Sequence, residues 1–200
     1  MKTLLSILTL CVLTAHPGLA EEIVPSAKQT KLLRGTLKQK GAIRTVAGEP
    51  DSTGHGPITY YQVPFREGAF SASWKVEVDQ VILFVFDGAP QGKATHLLKV
   101  YVNGGPGGAR RQNNATLITY DGSTKAKKKA KVVRKKHHSK PNEWHQINVS
   151  FTGDKATIVI DGKKFTATSA RFSEGIDKIG VGHFTGELQT KDVKILKTKP

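Results

Sequence analysis

Cysteine is all but missing from this 200-residue chain, and the single one, Cys11, lies in an apolar stretch near the N-terminus. The remainder can form no disulfide and offers no thiolate to a metal, so its stability must come from a packed core. Acid is scarce as well: 16 Asp and Glu stand against 31 Lys and Arg, for a net charge of +15. Long apolar runs are lacking beyond the first twenty residues. Val81–Phe86 is bounded by Gln80 and Asp87, far short of the roughly 20 residues that a membrane-spanning helix needs. No stretch has a helical apolar period. A nucleophile elbow and an ordered Ser/His/Asp pattern are absent too. Asn103-Gly-Gly-Pro-Gly-Gly108 leads into Arg110-Arg111 and polar linker, not into a helix opened by Lys-Ser/Thr, so it is a connection and not a phosphate loop.

What is present begins with an export signal. Lys2 precedes an apolar core from Leu4 to Leu13, followed by Pro17-Gly18 and small residues up to Ala20, where cleavage is expected. The product is expected to be a soluble periplasmic or extracellular protein, and export without cysteine leans bacterial. About 180 remaining residues suffice for one domain with a sizeable core. Residues 21–32 are polar and read as a loose N-terminal segment, with the domain proper spanning 33–200.

Short strands separated by turn residues fill that domain. Asn142–Phe151 turns at Thr152-Gly-Asp-Lys155, returns as Ala156–Ile160, turns at Asp161-Gly-Lys-Lys164 and goes out through Phe165 and Ala167. Apolar residues alternate at a period of two with Gly or Asp at each reversal, as in a half-buried antiparallel meander. Phe70, Ala72, Trp74, Val76 and Val78 mark one apolar face of a strand running to Asp79. Val81–Phe86 is apolar on both faces, as a central strand covered on each side would be. Further strands are expected at Thr36–Arg44, His96–Val102, Thr116–Tyr120, Lys178–Gly182 and Asp192–Leu196. Around a dozen short strands indicate an all-β sandwich or barrel.

Several phrases resemble the concanavalin-like jelly-roll family that includes the 3-keto-disaccharide hydrolase-like domains: Trp144-His145, Gly153-Asp154, Asp161-Gly162, Lys178-Ile-Gly-Val-Gly182 and Asp192-Val-Lys-Ile195. Thr95–Val102 resembles a strand of a divergent branch. The resemblance implies a sandwich of two antiparallel sheets with a glycan cleft on the concave sheet face. It does not carry catalysis over. The family's Asn-Ser-Gly strand with a following arginine, and its Tyr/Phe-Glu-x-Gln strand, do not occur here, and the corresponding region reads Leu83-Phe-Val-Phe86.

The candidate chemistry is thin. Glu77 and Asp79 place two carboxylates on one strand face, as a glycosidase pair requires, but Val81 stops the row and solvation alone accounts for both. His55, His96, His145 and His183 occur singly. His55 and His183 flank glycine-containing loops and are the rim candidates, against a structural role for each. Tyr60 and Tyr61 offer sugar-stacking rings, but as strand neighbours they point to opposite faces, so at most one serves. Trp74 and Trp144 read as core. Residues 125–140 hold nine Lys/Arg (Lys125, Lys127, Lys128, Lys129, Lys131, Arg134, Lys135, Lys136, Lys140) and no acid. This run is either a polyanion site or a charged edge strand around Val132-Val133 that resists aggregation. Without an interleaved aromatic it disfavours nucleic acid, and its lysines make His137-His138 a poor metal site. No metal and no cofactor is implied. The leading expectation is therefore recognition, and in a further step processing, of a polysaccharide or oligosaccharide, with anionic glycans favoured. The rivals are a hydrolase or lyase acting on 3-keto or related glycosides, and a non-catalytic envelope module.

Overall fold

The structure, a computed structural model, describes residues 20–89, 95–106, 113–121 and 131–198. Their strands in chain order are β1 (Ala20–Ile23), β2 (Thr30–Arg34), β3 (Thr36–Lys40), β4 (Ile43–Ala47), β5 (Ile58–Tyr61), β6 (Gly68–Val76), β7 (Ile82–Asp87) and β8 (His96–Val102). They continue with β9 (Asn114–Thr119), β10 (Lys131–Lys136), β11 (His145–Thr152), β12 (Lys155–Ile160), β13 (Lys163–Thr168), β14 (Lys178–His183) and β15 (Glu187–Thr198). Two short 3₁₀ turns, Ala27–Gln29 and Ala170–Glu174, are the only helical pieces among the described residues. No helix there is long and apolar enough to cross a membrane.

The strands form two antiparallel sheets. One runs β13-β12-β11-β6-β15-β4-β3, with β1 added alongside β15; the other runs β10-β9-β8-β7-β14-β5-β2. Period-two alternation explains the layering, because each strand turns every second side chain inward. Phe70, Ala72, Trp74 and Val76 of β6 face Ile82, Phe84 and Phe86 of β7 across the core. Phe70 is fully buried and meets three rings: Tyr61 at 6.4 Å, Phe84 at 6.3 Å and Phe86 at 6.0 Å between centroids. Asp161 (φ 48°) and Gly162 (φ 78°) both adopt the left-handed conformation that a two-residue hairpin requires, joining β12 to β13.

Four expectations change. The segment at 21–32 is paired, not loose: β1 lies along β15 with Glu22 opposite Leu196, and β2 along β5 with Lys31 opposite Tyr60. Its polar composition reflects edge positions with half their side chains in solvent. The strand through Trp74 stops at Val76, whose carbonyl accepts from the Asn142 N–H at 2.7 Å, so Val78 lies in a bend and is 49% exposed. Val81–Phe86 is central, but Leu83 and Val85 line an open groove. Trp144 is not core. His145 shares the inward face of β11 with Ile147, Val149 and Phe151, and it packs on Trp74 with ring centroids 4.7 Å apart. Trp144, one residue earlier, therefore points out, where Lys75 and Lys191 lie over its ring at 5.4 and 4.3 Å.

Candidate functional site: a groove on the seven-stranded sheet

The outward residues of β5, β7, β8 and β14 build the floor of a groove with a cavity of about 400 Å³. The register puts Tyr60, Gly180, Val85 and Lys99 in one cross-strand row, and Ile58, Gly182, Leu83 and Tyr101 in the next. Glycine at Gly180 is what keeps the floor low. A Cβ there would meet Ile58 Cδ1 at 2.8 Å and Tyr60 Cε1 at 2.9 Å, so the Tyr60 ring occupies the space a side chain would take. Tyr61, its neighbour, is buried in the core. Of these two, only Tyr60 reaches the groove.

The loop 51–57 forms one wall, anchored by Asp51. Its Oδ1 accepts from the Thr53 N–H (2.9 Å), the Thr53 hydroxyl (2.6 Å) and the His55 N–H (3.0 Å), while Oδ2 lies 2.7 Å from Arg34 Nε. Those bonds, the Thr53 hydroxyl first, hold its carboxyl well below the usual range. Gly56 lets this wall close on β14, since a Cβ there would sit 2.0 Å from the His183 carbonyl oxygen. His55 is exposed at the rim, with Nδ1 2.6 Å from the Thr53 hydroxyl.

On the floor, His96 Nδ1 lies 2.5 Å from Asp87 Oδ1, and Asp87 is 1% exposed. A carboxylate only accepts, so Nδ1 carries the proton, and Nε2 has no partner among the described residues. Asp87 Oδ2 lies 3.9 Å from Lys178 Nζ, whose ammonium sits 5.1 Å over the Tyr60 ring. Burial raises Tyr60 and Tyr120 above the ordinary phenol value and pushes Tyr101 up to about 12, so all three are neutral donors at physiological pH.

Of the sequence candidates, the structure brings His55 and Tyr60 to the groove, with His183 beneath one end. His183 is buried, bonded through Nε2 to the Gly186 carbonyl at 3.1 Å, and its Nδ1 has no partner among the described residues. Glu77 and Asp79 do not share a strand face. Both follow the end of β6, and Asp79 contacts Asn103 (3.3 Å) and His138 (3.6 Å) rather than the groove. Asp87 and His96 form the pair that sequence reasoning missed. A carboxylate ending one apolar strand and a histidine opening the next were visible, but their meeting depends on an irregular register between β7 and β8. Lys131, Arg134, Lys135 and Lys136 lie on β10, an edge strand, with Lys140 beyond it. Lys125, Lys127, Lys128 and Lys129 fall outside the described residues.

A second polar cluster joins His137, Ser139, Asp161 and His145. Ser139 Oγ lies 2.9 Å from His137 Nε2 and 3.1 Å from Asp161 Oδ2, which also takes His145 Nδ1 at 2.8 Å. Ser139 is 0% exposed, so no substrate reaches it, and this network braces the β12–β13 turn. Among the described residues no group of three or more His, Cys, Asp or Glu is arranged to hold a metal ion.

No family description and no curated protein matches the sequence. Solved structures do match. A carbohydrate-binding module from Bacillus subtilis aligns with a TM-score of 0.59 at 13% identity, over 83% of this chain and 94% of the module. A β-1,3-1,4-glucanase (lichenase) derived from a mouse hindgut metagenome aligns at 0.63 and 10%, over 91% and 100%. An alginate lyase from Pseudomonas aeruginosa aligns at 0.60 and 6%, over 82% and 86%. The fold is a concanavalin-like jelly roll. Jelly rolls of this kind serve a binder, a hydrolase and a lyase in these three proteins, so the fold leaves turnover undecided and the residues of the groove must carry the argument.

Proposed function

We propose that this chain is an exported glycan-recognition protein that holds an oligosaccharide in the groove over β5, β7, β8 and β14. The observation that carries this reading is the groove itself. It has an open, largely apolar floor with Tyr60 and Tyr101 as platforms, flanked by Arg34, His55 and His96 as hydrogen-bonding groups. Sugar rings present apolar faces and equatorial hydroxyls, and this mixture of aromatic and polar lining meets both. The names of the aligned structures support a carbohydrate as the occupant. The preference for anionic glycans rests on the basic residues, including the exposed cations of β10.

Binding is favoured over turnover because Glu77 and Asp79 lie away from the groove and Asp51 is fully engaged with its loop and Arg34. One observation supports a second reading, hydrolase or lyase activity on a glycan: the Asp87–His96 pair is a general base with an orienting carboxylate. The two separate experimentally. A glycan array probed with the chain from Glu21 onward, at low and high salt, is expected to retain a set of glycans at high salt, and Tyr60→Ala is expected to lose them. Retention of anionic glycans only, vanishing as salt rises, would move recognition to the exposed cations and refute the groove. Turnover of a retained glycan that His96→Ala abolishes without loss of binding would select the second reading.

A further inference from the structure

One cation of the groove is left without a carboxylate partner among the described residues. Arg34 is held by Asp51 at 2.7 Å. Asp87 gives one oxygen to His96 and the other to Lys178. Lys99, in the middle of β8, has no ion pair among the described residues. Its cross-strand neighbours are the apolar Val85 and Ile118, and its ammonium lies 5.7 Å from the Tyr120 ring centroid. A half-buried ammonium surrounded by aliphatic and aromatic groups has lost much of its hydration without gaining a carboxylate. That loss holds its pKa below the ordinary lysine value, and Asp87 only partly restores it. The local balance is net positive, since one buried carboxylate faces two ammonium groups, Lys178 and Lys99.

We propose that Lys99 forms an anion subsite in the groove, taking the carboxylate or sulfate ester of an acidic sugar whose ring stacks on the neighbouring tyrosines. This rests on the reading that the groove holds a glycan. Stacking and charge would act on one residue of the ligand, because Lys99, Tyr101 and His96 all line the same cavity. The subsite is distinct from the basic edge strand. The Thr116 hydroxyl of β9 donates to the Gly104 carbonyl at 2.7 Å, so the turn after β8 covers part of the sheet between the groove and β10. The two sources of positive charge also differ in burial. The β10 cations are exposed and screened by salt, whereas Lys99 is partly buried and screened much less.

The test compares three oligosaccharides of equal length and linkage by calorimetry: neutral β-glucan, its oligoglucuronate and its sulfated form. Wild type, Lys99→Gln and Lys99→Met are measured at physiological and at high salt. Wild type is expected to bind one of the acidic forms on the order of tenfold more tightly than the neutral one, with the preference surviving high salt. Whichever acidic arm shows it identifies the group. Both Lys99 variants are expected to bring the ratio close to one while unfolding at the same denaturant concentration as wild type. An unchanged ratio in both variants, or a preference that disappears with salt, overturns the subsite and leaves the groove reading standing. If none of the three sugars binds, or if Tyr60→Ala leaves their binding unchanged, the groove reading falls and the subsite falls with it.

Discussion

Gly180 sets the depth of the groove floor. Its absent side chain leaves room for Tyr60, and the atoms a Cβ would strike, Ile58 Cδ1 and Tyr60 Cε1, are the far ends of movable side chains. Gly180→Ala is therefore expected to fold, with a stability change under about 1 kcal/mol, and to tilt the Tyr60 ring out of the groove. Affinity for the glycans retained at high salt is expected to fall about tenfold, equivalent to ~1.4 kcal/mol. Calorimetry checks it, and unchanged affinity would remove Tyr60 as a platform. His183 poses a different residue-scale question. Burial holds its pKa below the ordinary value, with the Gly186 carbonyl and Glu49 opposing that shift. The unfolded chain then takes up a proton that the folded chain does not, so the stability contribution is complete above about pH 6.5 and declines as pH falls through that value. His137 acts in the same direction. Its burial outweighs Asp161, which alone among its charged neighbours favours the imidazolium, whereas Lys163, His145 and His138 oppose it. His145 acts in the opposite direction: burial lowers it, but Asp161 and the Lys140 carbonyl leave it raised, so its contribution is lost as pH rises. Urea midpoints are expected to drop between pH 7.5 and 5.5. His183→Gln should flatten that slope by at most about 1.4 kcal/mol per pH unit. An unaltered slope would show that His183 takes up its proton equally well in the folded state.

Elements whose apolar faces are simple were legible from period-two patterning alone. β6 and the β11–β12–β13 meander read directly because their inward residues (Phe70, Ala72, Trp74, Val76 and Ile147, Val149, Phe151) alternate without interruption. The same alternation, applied one step further, assigns His145 to the inward face and Trp144 to the outward one. Residue type pulled the reading the other way, since tryptophan is the more apolar residue. Buried His145 is tolerated because both ring nitrogens are bonded, to Asp161 and to the Lys140 carbonyl, each at 2.8 Å. The Asp87–His96 pair was not legible, because a register irregularity in the β7–β8 hairpin decides which residues face one another. β10 carries the element-scale prediction. It lies at the edge of its sheet, and Val132 is 43% exposed beside Lys131. Replacing Lys131, Arg134, Lys135 and Lys136 with threonine keeps strand propensity and removes the charge that discourages pairing with another chain. Concentration-dependent association by light scattering is expected in low salt, together with earlier elution from an immobilised polyanion. A variant that remains monomeric would count against an anti-aggregation role and favour the polyanion one.

At the scale of the whole molecule, the N-terminal segment holds the two sheets together. β1 extends the eight-stranded sheet and β2, only a few residues later, closes the edge of the seven-stranded one. The crossing between them is pinned by Arg44 of β4, which donates to the Pro25 carbonyl at 3.1 Å and the Thr30 hydroxyl at 3.5 Å and lies 5.9 Å over the buried Tyr61 ring. Glu22 and Glu21 pair with Lys194 and Lys197 at 2.9 and 3.2 Å, exposed contacts that set register more than they add stability. Composition alone concealed this role, since an edge strand and a loose tail are both polar. The proposed function is coupled to it, because β2 supplies Leu33 and Arg34 to the groove. A chain beginning at Gly35 is therefore expected to lose more stability than its few buried side chains would suggest. It opens a sheet edge along β5, uncovers Tyr61 and strips the pairing from the outer half of β15. Arg44→Ala in the full chain is the milder form of the same break, expected to cost about 1 kcal/mol by leaving partly buried hydrogen bonds unmade. Denaturant unfolding ranks the two, and calorimetry with a retained glycan adds the functional readout. Truncation should abolish groove binding even where the remaining sheets are folded, since the ligand would then face an unpaired β5 in place of Arg34. A truncated chain with wild-type stability and affinity would return residues 20–34 to the status of a dispensable tail.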